Sequence, residues 1–320
     1  MADAHGRFSS LGVALTSTGA GAGNAVGAMI EALNANTPLL HITGQVEKAY
    51  LDADAGFIHE TRDQLGFLRA CSKRAYRVNS PEQAVAINGD CAALLTALAA
   101  RLTPGEKVSA EWDAEIAGAV QQAESALRQQ SGEYAKLNDA IDAALPQDGL
   151  LVRDITVSGS VWGSRLFRAI SPLCNIHSLA GAIGMGLPMA IGTAIANPQR
   201  KVVGLVGDGG LALGLGELAT MAQEQVNITL LIMNDGGYGV MRGIQDKYFA
   251  GRQYYNELHT PAFTQIAEAM GLKAWKVEAA AQFNGVLAEA INYPGPSVVE
   301  VDMKQVGPLT FAGPPQKTLY

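Results

Sequence analysis

The chain has 320 residues, which at roughly 150 residues per domain points to two domains. Charged residues make up only 17% of it and apolar ones 48%; so charge-poor a chain is expected to have much of its surface covered by a second domain or subunit. Lys and Arg number 23 against 30 Asp and Glu, a net charge of −7. That balance excludes a broad basic footprint, and with it nucleic acid and anionic membrane as expected partners, while the apolar content excludes disorder.

In chain order, an apolar run at residues 11–18 leads into Gly19-Ala20-Gly21-Ala22-Gly23-Asn24. A helical stretch at 25–33 and a second apolar run at 38–43 follow, ending in Gly44-Gln45. Strand, glycine turn, helix and strand make a βαβ unit, hence a parallel sheet with a right-handed crossover. A polar passage at 47–64 precedes an αβ-like stretch to residue 78. Residues 110–145 have helical spacing and few β-branched residues, and Pro146-Gln147-Asp148-Gly149 is a turn signal. From residue 150 the pattern repeats strand, loop and helix: strands at 150–152, 201–206, 228–233 and 297–301, with helices near 215–225 and 263–270. The expected fold class is α/β, with open parallel sheets covered by helices on both faces. The expected domains are 1–86, 87–130 and 131–320. Residues 179–196 carry no charge, but five glycines and prolines identify a loop and a helix buried on all sides rather than a membrane span. Cys71, Cys91 and Cys174, widely spaced, suit reduced core thiols, and no basic-then-apolar leader opens the chain; a cytoplasmic protein is expected.

Open parallel sheets bind ligands beyond the carboxyl ends of their strands. Two such ends stand out, Gly207-Asp208-Gly209-Gly210 and Asn234-Asp235-Gly236-Gly237-Tyr238-Gly239. If their strands are neighbours, Asp208 and Asp235 share one cleft, where two carboxylates suit a hard divalent cation. The glycines admit backbone N–H groups close to a phosphate. The competing reading makes both aspartates ordinary helix N-caps. For Gly19–Gly23 the competing reading is a dinucleotide fingerprint, but the spacing is G-x-G-x-G and residues 38–45 offer no acidic partner for a ribose.

Gly207-Asp208-Gly209 with Asn234-Asp235 resembles the GDG…NN signature of the thiamine-diphosphate-dependent acetolactate synthase and 2-oxoacid decarboxylase superfamily. Three further collinear matches support the resemblance. Ser178-Leu179-Ala180-Gly181-Ala182-Ile183-Gly184-Met185-Gly186-Leu187-Pro188 is similar to its S-G-G-x-G-x-M-G-x-G-L-P segment. Thr18-Gly19-Ala20-Gly21-Ala22-Gly23-Asn24 resembles S-G-P-G-A-T-N, and Ile42-Thr43-Gly44-Gln45 resembles I-T-G-Q. Ile58-His59-Glu60 falls where many members have F-Q-E.

The resemblance implies Mg²⁺ held by Asp208, Asp235 and the Gly237 carbonyl, with Asp235 standing where the family usually has Asn. It implies diphosphate contacts from Gly209 and Gly210, and from Ser158, Gly159 and Ser160 on the other side. Ile183 aligns with the residue that props the cofactor in a bent shape, so that its own imino group meets the reactive carbon; its alternative is a plain core position. The Gly181 carbonyl would receive the 4′-amino group. Gly19, Ala20 and Asn24 would lie against the aminopyrimidine across a subunit interface, in a homodimer or homotetramer. His59 and Glu60 would line the substrate side as catalytic residues, with a solvated loop pair as the alternative. The activity implied is decarboxylation of a small-molecule 2-oxoacid, or carboligation, with the cofactor as electron sink. The run at 57–77 and the Asn-Asp-Gly-Gly-Tyr-Gly loop look closer to decarboxylases of long or guanidino-bearing 2-oxoacids than to acetolactate synthases.

The chain departs from the family pattern twice. The glutamate that drives the cofactor's tautomerism belongs before the segment that Met1–Arg7 resembles, and near 84–87 most of a middle domain, often an FAD or nucleotide carrier, has no counterpart; FAD is therefore an unsupported second cofactor. The expectation is that stretches of a longer protein are absent from this sequence, with a truncated chain as the alternative. Two other functions compete with the enzyme: a thiamine-diphosphate-binding protein without turnover, and a nicotinamide-dependent oxidoreductase.

Overall fold

The computed structural model describes residues 1–9, 11–46, 50–54, 56, 59–78, 110–171, 173–178 and 181–309. Phe57, Ile58, Leu179, Ala180, Cys91 and residues 87–109 of the expected 87–130 remnant and linker lie outside the described residues, as does the first domain boundary.

The second half is a six-stranded, all-parallel sheet. Its strands are β3 Leu150–Arg153, β4 Asn175–His177, β5 Val202–Gly207, β6 Ile228–Asn234, β7 Lys273–Val277 and β8 Ser297–Asp302, laid side by side in the order β4-β3-β5-β6-β8-β7. The central strands are near-continuous apolar runs because helices bury both of their faces. Side chains alternate between those faces. Leu150, Val152, Val202, Leu230 and Val298 join one core with Met189, Ala190 and Ile191 of the helix Gly186–Ala196 and with Phe263. Leu151, Val203, Leu205, Leu231 and Val299 join the other with Leu137 and Ile141 of the helix Glu133–Ala144 and Leu287 and Ile291 of the helix Phe283–Asn292. Of the uncharged segment at 179–196, residues 181–185 are loop and Gly186–Ala196 is that 11-residue, mostly buried helix. No helix among the described residues is long and apolar enough to cross a membrane.

The first half holds a two-stranded parallel sheet, β1 Gly12–Thr16 against β2 Leu39–Thr43, bridged by the helix Ala20–Asn34 and followed by the helix Gln64–Ala70. The expected βαβ unit is present, with one correction. The residues Ala20–Asn24 form the first turns of the helix instead of a loop, leaving Gly19 alone as its N-cap at a φ of +56°, a conformation that suits glycine. The αβ-like stretch to residue 78 contains a helix but no strand among its described residues. Residues 110–145 form two helices, Ala110–Ser131 and Glu133–Ala144, broken at Gly132 with a φ of +53°. The short edge strand β4, the strand β7 and the helices Gly239–Tyr248 and Phe283–Asn292 were not marked by the sequence pattern. Cys71 and Cys174 are buried free thiols, as expected.

The two halves touch through the helix Ala2–Phe8, which rests on the helix Gly186–Ala196 so closely that a Cβ on Gly192 would lie 2.2 Å from the Met1 carbonyl oxygen. Beside that contact the fully buried Glu31 accepts from the Arg7 guanidinium at 2.8 Å and from the Ser178 hydroxyl at 2.8 Å, while Arg7 also donates to the His177 carbonyl at 3.2 Å.

Candidate cofactor site

β5 and β6 are direct neighbours, with Gly207 paired to Met233. Asp208 therefore stands level with Asn234, and Asp235 lies one residue further out on a strand about 4.8 Å away. The two aspartates share one cleft, as the spacing predicted. Neither is a side-chain N-cap: Gly207 caps the helix Asp208–Leu213 and Tyr238 caps the helix Gly239–Tyr248. The reading of Asp208 and Asp235 as ordinary caps is thus ruled out by position.

Asp208 is 1% exposed. The N–H groups of Asp235 and Gly237 point at its carboxylate, yet burial and the nearby Asp235 charge push its pKa up to about 6. Asp235 is also raised by burial, against the opposing pull of Arg242, whose guanidinium lies 2.7 Å from Asp235 Oδ2. Asp208 Oδ2 and Asp235 Oδ1 are buried with no hydrogen-bond partner among the described residues. Buried carboxylate oxygens without partners are costly, and two facing ones call for a cation. The donor set of oxygens alone fits a hard divalent ion such as Mg²⁺.

The walls of the cleft explain their glycines. A Cβ on Gly209 would sit 2.6 Å from the Tyr238 ring and one on Gly210 2.6 Å from Asp154 Oδ2. Gly237 pairs with Glu257 across an isolated antiparallel bridge, flanked by Tyr238 N–H donating to the Asn256 carbonyl at 2.8 Å. On the opposite wall, Ser158 is fully buried with an unpartnered hydroxyl, and Gly159 and Ser160 begin a π-helical turn. Their N–H groups are already engaged, Gly159 with Thr156 Oγ1 at 2.7 Å and Ser160 with the Thr156 carbonyl at 3.0 Å. The Ser158 hydroxyl is the group left without a partner there.

Gly181 has a φ of +76°, and Ile183 is 37% exposed, so Ile183 is not a plain core residue. The loop that carries them is pinned by Asp154, whose Oδ2 accepts from Gly184 N–H at 2.9 Å and whose carboxylate also faces the N–H groups of Met185 and Gly186. In the first half, Gly19 is packed against His59: a Cβ there would lie 1.8 Å from the His59 carbonyl oxygen. The buried Gln64 takes the Gly19 N–H at 2.8 Å and the Thr18 hydroxyl at 3.1 Å on its Oε1, and its amide donates to the Gly44 carbonyl at 2.8 Å. One side chain thus gathers the first glycine turn and the end of β2. Ala20 and Asn24 are exposed on the first turns of their helix, and His59 is exposed at a φ of +63°.

The comparisons with known proteins agree with both halves. The N-terminal TPP binding domain of thiamine pyrophosphate enzymes matches residues 1–67, and the C-terminal TPP binding domain matches residues 157–301. The chain belongs to the thiamine pyrophosphate enzymes. Benzoylformate decarboxylase of Pseudomonas aeruginosa is 30% identical over 175 residues, 53% of this chain and 32% of that protein. Acetolactate synthase isozyme 1 large subunit of Escherichia coli is 30% identical over 173 residues, 52% of this chain and 30% of that protein. The acetolactate synthase large subunit of Porphyra purpurea is 28% identical over 163 residues, 50% of this chain and 28% of that protein. The matched region spans about a third of each relative.

Three site residues of this thiamine pyrophosphate enzyme escaped the motif reading: Asp154, Gln64 and Arg242. Asp154 ends β3, where a strand tip in an open sheet could have flagged it. Gln64 and Arg242 lie on helices whose faces no motif marks.

Proposed function

We propose that the chain holds Mg²⁺ and the diphosphate of thiamine diphosphate at the β5 and β6 tips, and that the protein decarboxylates a 2-oxoacid or carboligates the product. The observation that carries this reading is the pair of buried, partnerless oxygens, Asp208 Oδ2 and Asp235 Oδ1, at adjacent strand tips. Together with the Gly237 carbonyl they supply oxygen ligands for the metal, and the metal neutralises the diphosphate. Gly209 and Gly210 keep that wall free of side chains, and the Ser158 hydroxyl faces it from the other side. Bound there, thiamine diphosphate supplies an electron sink for cleavage beside a 2-oxo carbon. Exposed Ile183 supports the bent cofactor, the Gly181 carbonyl takes its amino group, and Gly19, Ala20 and Asn24 cover its pyrimidine from a second copy in a homodimer or homotetramer. Exposure of Ile183 and of Leu213 at 64% supports a site completed by another subunit. His59 and Glu60 face the substrate as proton donor and acceptor.

Isothermal titration with thiamine diphosphate, with and without Mg²⁺, tests the binding; metal-dependent uptake is expected, and no uptake in either condition overturns the reading. Release of CO₂ and aldehyde from a panel of 2-oxoacids, set against acetolactate formed from pyruvate, separates decarboxylase from carboligase. Binding without any turnover would leave a cofactor-binding protein.

A further inference from the structure

The partnerless oxygens leave one charge in the cleft without an assigned purpose. Asp235 carries two oxygens in different settings: Oδ1 is buried and partnerless, whereas Oδ2 is 2.7 Å from the Arg242 guanidinium. Arg242 also donates to the Asp235 carbonyl at 3.3 Å and pairs with Glu257 at 3.1 Å, and its Nη1 would lie 2.7 Å from a Cβ on Gly237. The other ionic groups at the loop are Asp208 and Lys304, whose ammonium lies against Gly236. Arg242 therefore holds Asp235 at two points, the carboxylate through Oδ2 and the main chain through the carbonyl, and leaves Oδ1 without a partner.

We propose that Arg242 is the charge-balancing residue of this cleft: it occupies Asp235 Oδ2, leaves Oδ1 for the cation, and cancels the charge that an aspartate adds over a neutral amide at that position. The proposal rests on the metal–diphosphate reading above. Its consequence is a pair of effects of opposite sign. Loss of the guanidinium makes the cleft one unit more negative, which favours a divalent cation alone and disfavours a diphosphate. A residue that merely held the loop in shape would weaken both.

The test uses Mn²⁺ alone, followed by electron paramagnetic resonance, and inorganic pyrophosphate at saturating Mg²⁺, followed by calorimetry. Arg242→Gln is expected to bind Mn²⁺ about tenfold tighter and pyrophosphate about tenfold weaker than the parent at low salt, and both differences shrink as salt rises. Arg242→Lys, which keeps the charge, is expected to stay near the parent in both. The double variant Asp235→Asn with Arg242→Gln restores the balance and is expected to return both affinities toward the parent. Equal or parallel losses in Arg242→Gln, unrepaired in the double variant, overturn the proposal. A parent protein that binds no Mn²⁺ at all overturns the metal–diphosphate reading instead.

Discussion

Asp208→Asn is the substitution whose effect follows most directly from the cleft. A free aspartate has a pKa of 3.8, and in the folded protein burial and Asp235 lift that of Asp208 to about 6. Between those two values the folded state binds more protons than the unfolded one, so stability falls as pH rises through that window and the loss is complete above it. At about 1.4 kcal/mol per pH unit, the charged carboxylate costs the metal-free fold about 3 kcal/mol at neutral pH. The amide that replaces it in the variant carries no such charge. Urea unfolding in the presence of EDTA, followed through the buried Trp162, is the assay. The variant and parent are expected to be equally stable near pH 4, with the variant more stable by about 3 kcal/mol at pH 7.5. Mg²⁺ with thiamine diphosphate at a hundredfold excess over its dissociation constant should return about 2.7 kcal/mol to the parent and nothing to the variant. Parallel stability curves for the two proteins between pH 4 and 7.5 would refute the argument.

Asp154→Ala frees the amides of Ile155 and Gly184, bonded at 2.7 and 2.9 Å; a loss of about 2–4 kcal/mol is expected in urea unfolding, with Asp154→Asn losing less. Gly19→Ala puts a methyl group 1.8 Å from the His59 carbonyl oxygen at a φ of +56°. Its expected cost, by thermal melting, is about 2–4 kcal/mol, since both the conformation and the contact are unfavourable. Lys201 is 5% exposed with a partnerless ammonium, and burial brings its pKa down from 10.5 to about 8. The unfolded state binds more protons between those values, so this lysine weakens the fold below pH 8 and ceases to do so above about 10.5. Lys201→Met is expected to raise neutral-pH stability by about 2–3 kcal/mol and to flatten the rise at alkaline pH.

The parallel sheet was legible because its central strands, buried on both faces, are written as unbroken apolar runs such as Ile228–Asn234. Edge strands are not: β7 reads Lys-Ala-Trp-Lys-Val, with its lysines at the solvent, and β4 is three residues long. The Asp208 and Asp235 pairing was legible because both follow apolar runs that are consecutive strands, and consecutive strands of a sheet are neighbours more often than not. The helical state of Ala20–Asn24 was not, because glycines depress helix propensity and only the tertiary anchor of Gly19 on Gln64 and His59 overrides it. Nor could Arg242 be found by motif, because its partner lies seven residues back, across a loop whose path the sequence does not specify. The engaged N–H groups of Gly159 and Ser160 depend on Thr156, whose hydroxyl and carbonyl take them in the turn before the π-helical segment, a local geometry that no motif marks.

The internal carboxylate of Glu31 fastens one half of the molecule to the other through Arg7 and Ser178. Parting the halves would break the Ser178–Glu31 and Arg7–His177 hydrogen bonds, while the Arg7–Glu31 ion pair stays within the first half. Ser178 sits three positions ahead of Gly181 in the sequence, so the same fastening holds a residue close to the candidate cofactor site. A change at Glu31 would therefore be felt at Ser178, on the same stretch of chain as Gly181 and Ile183.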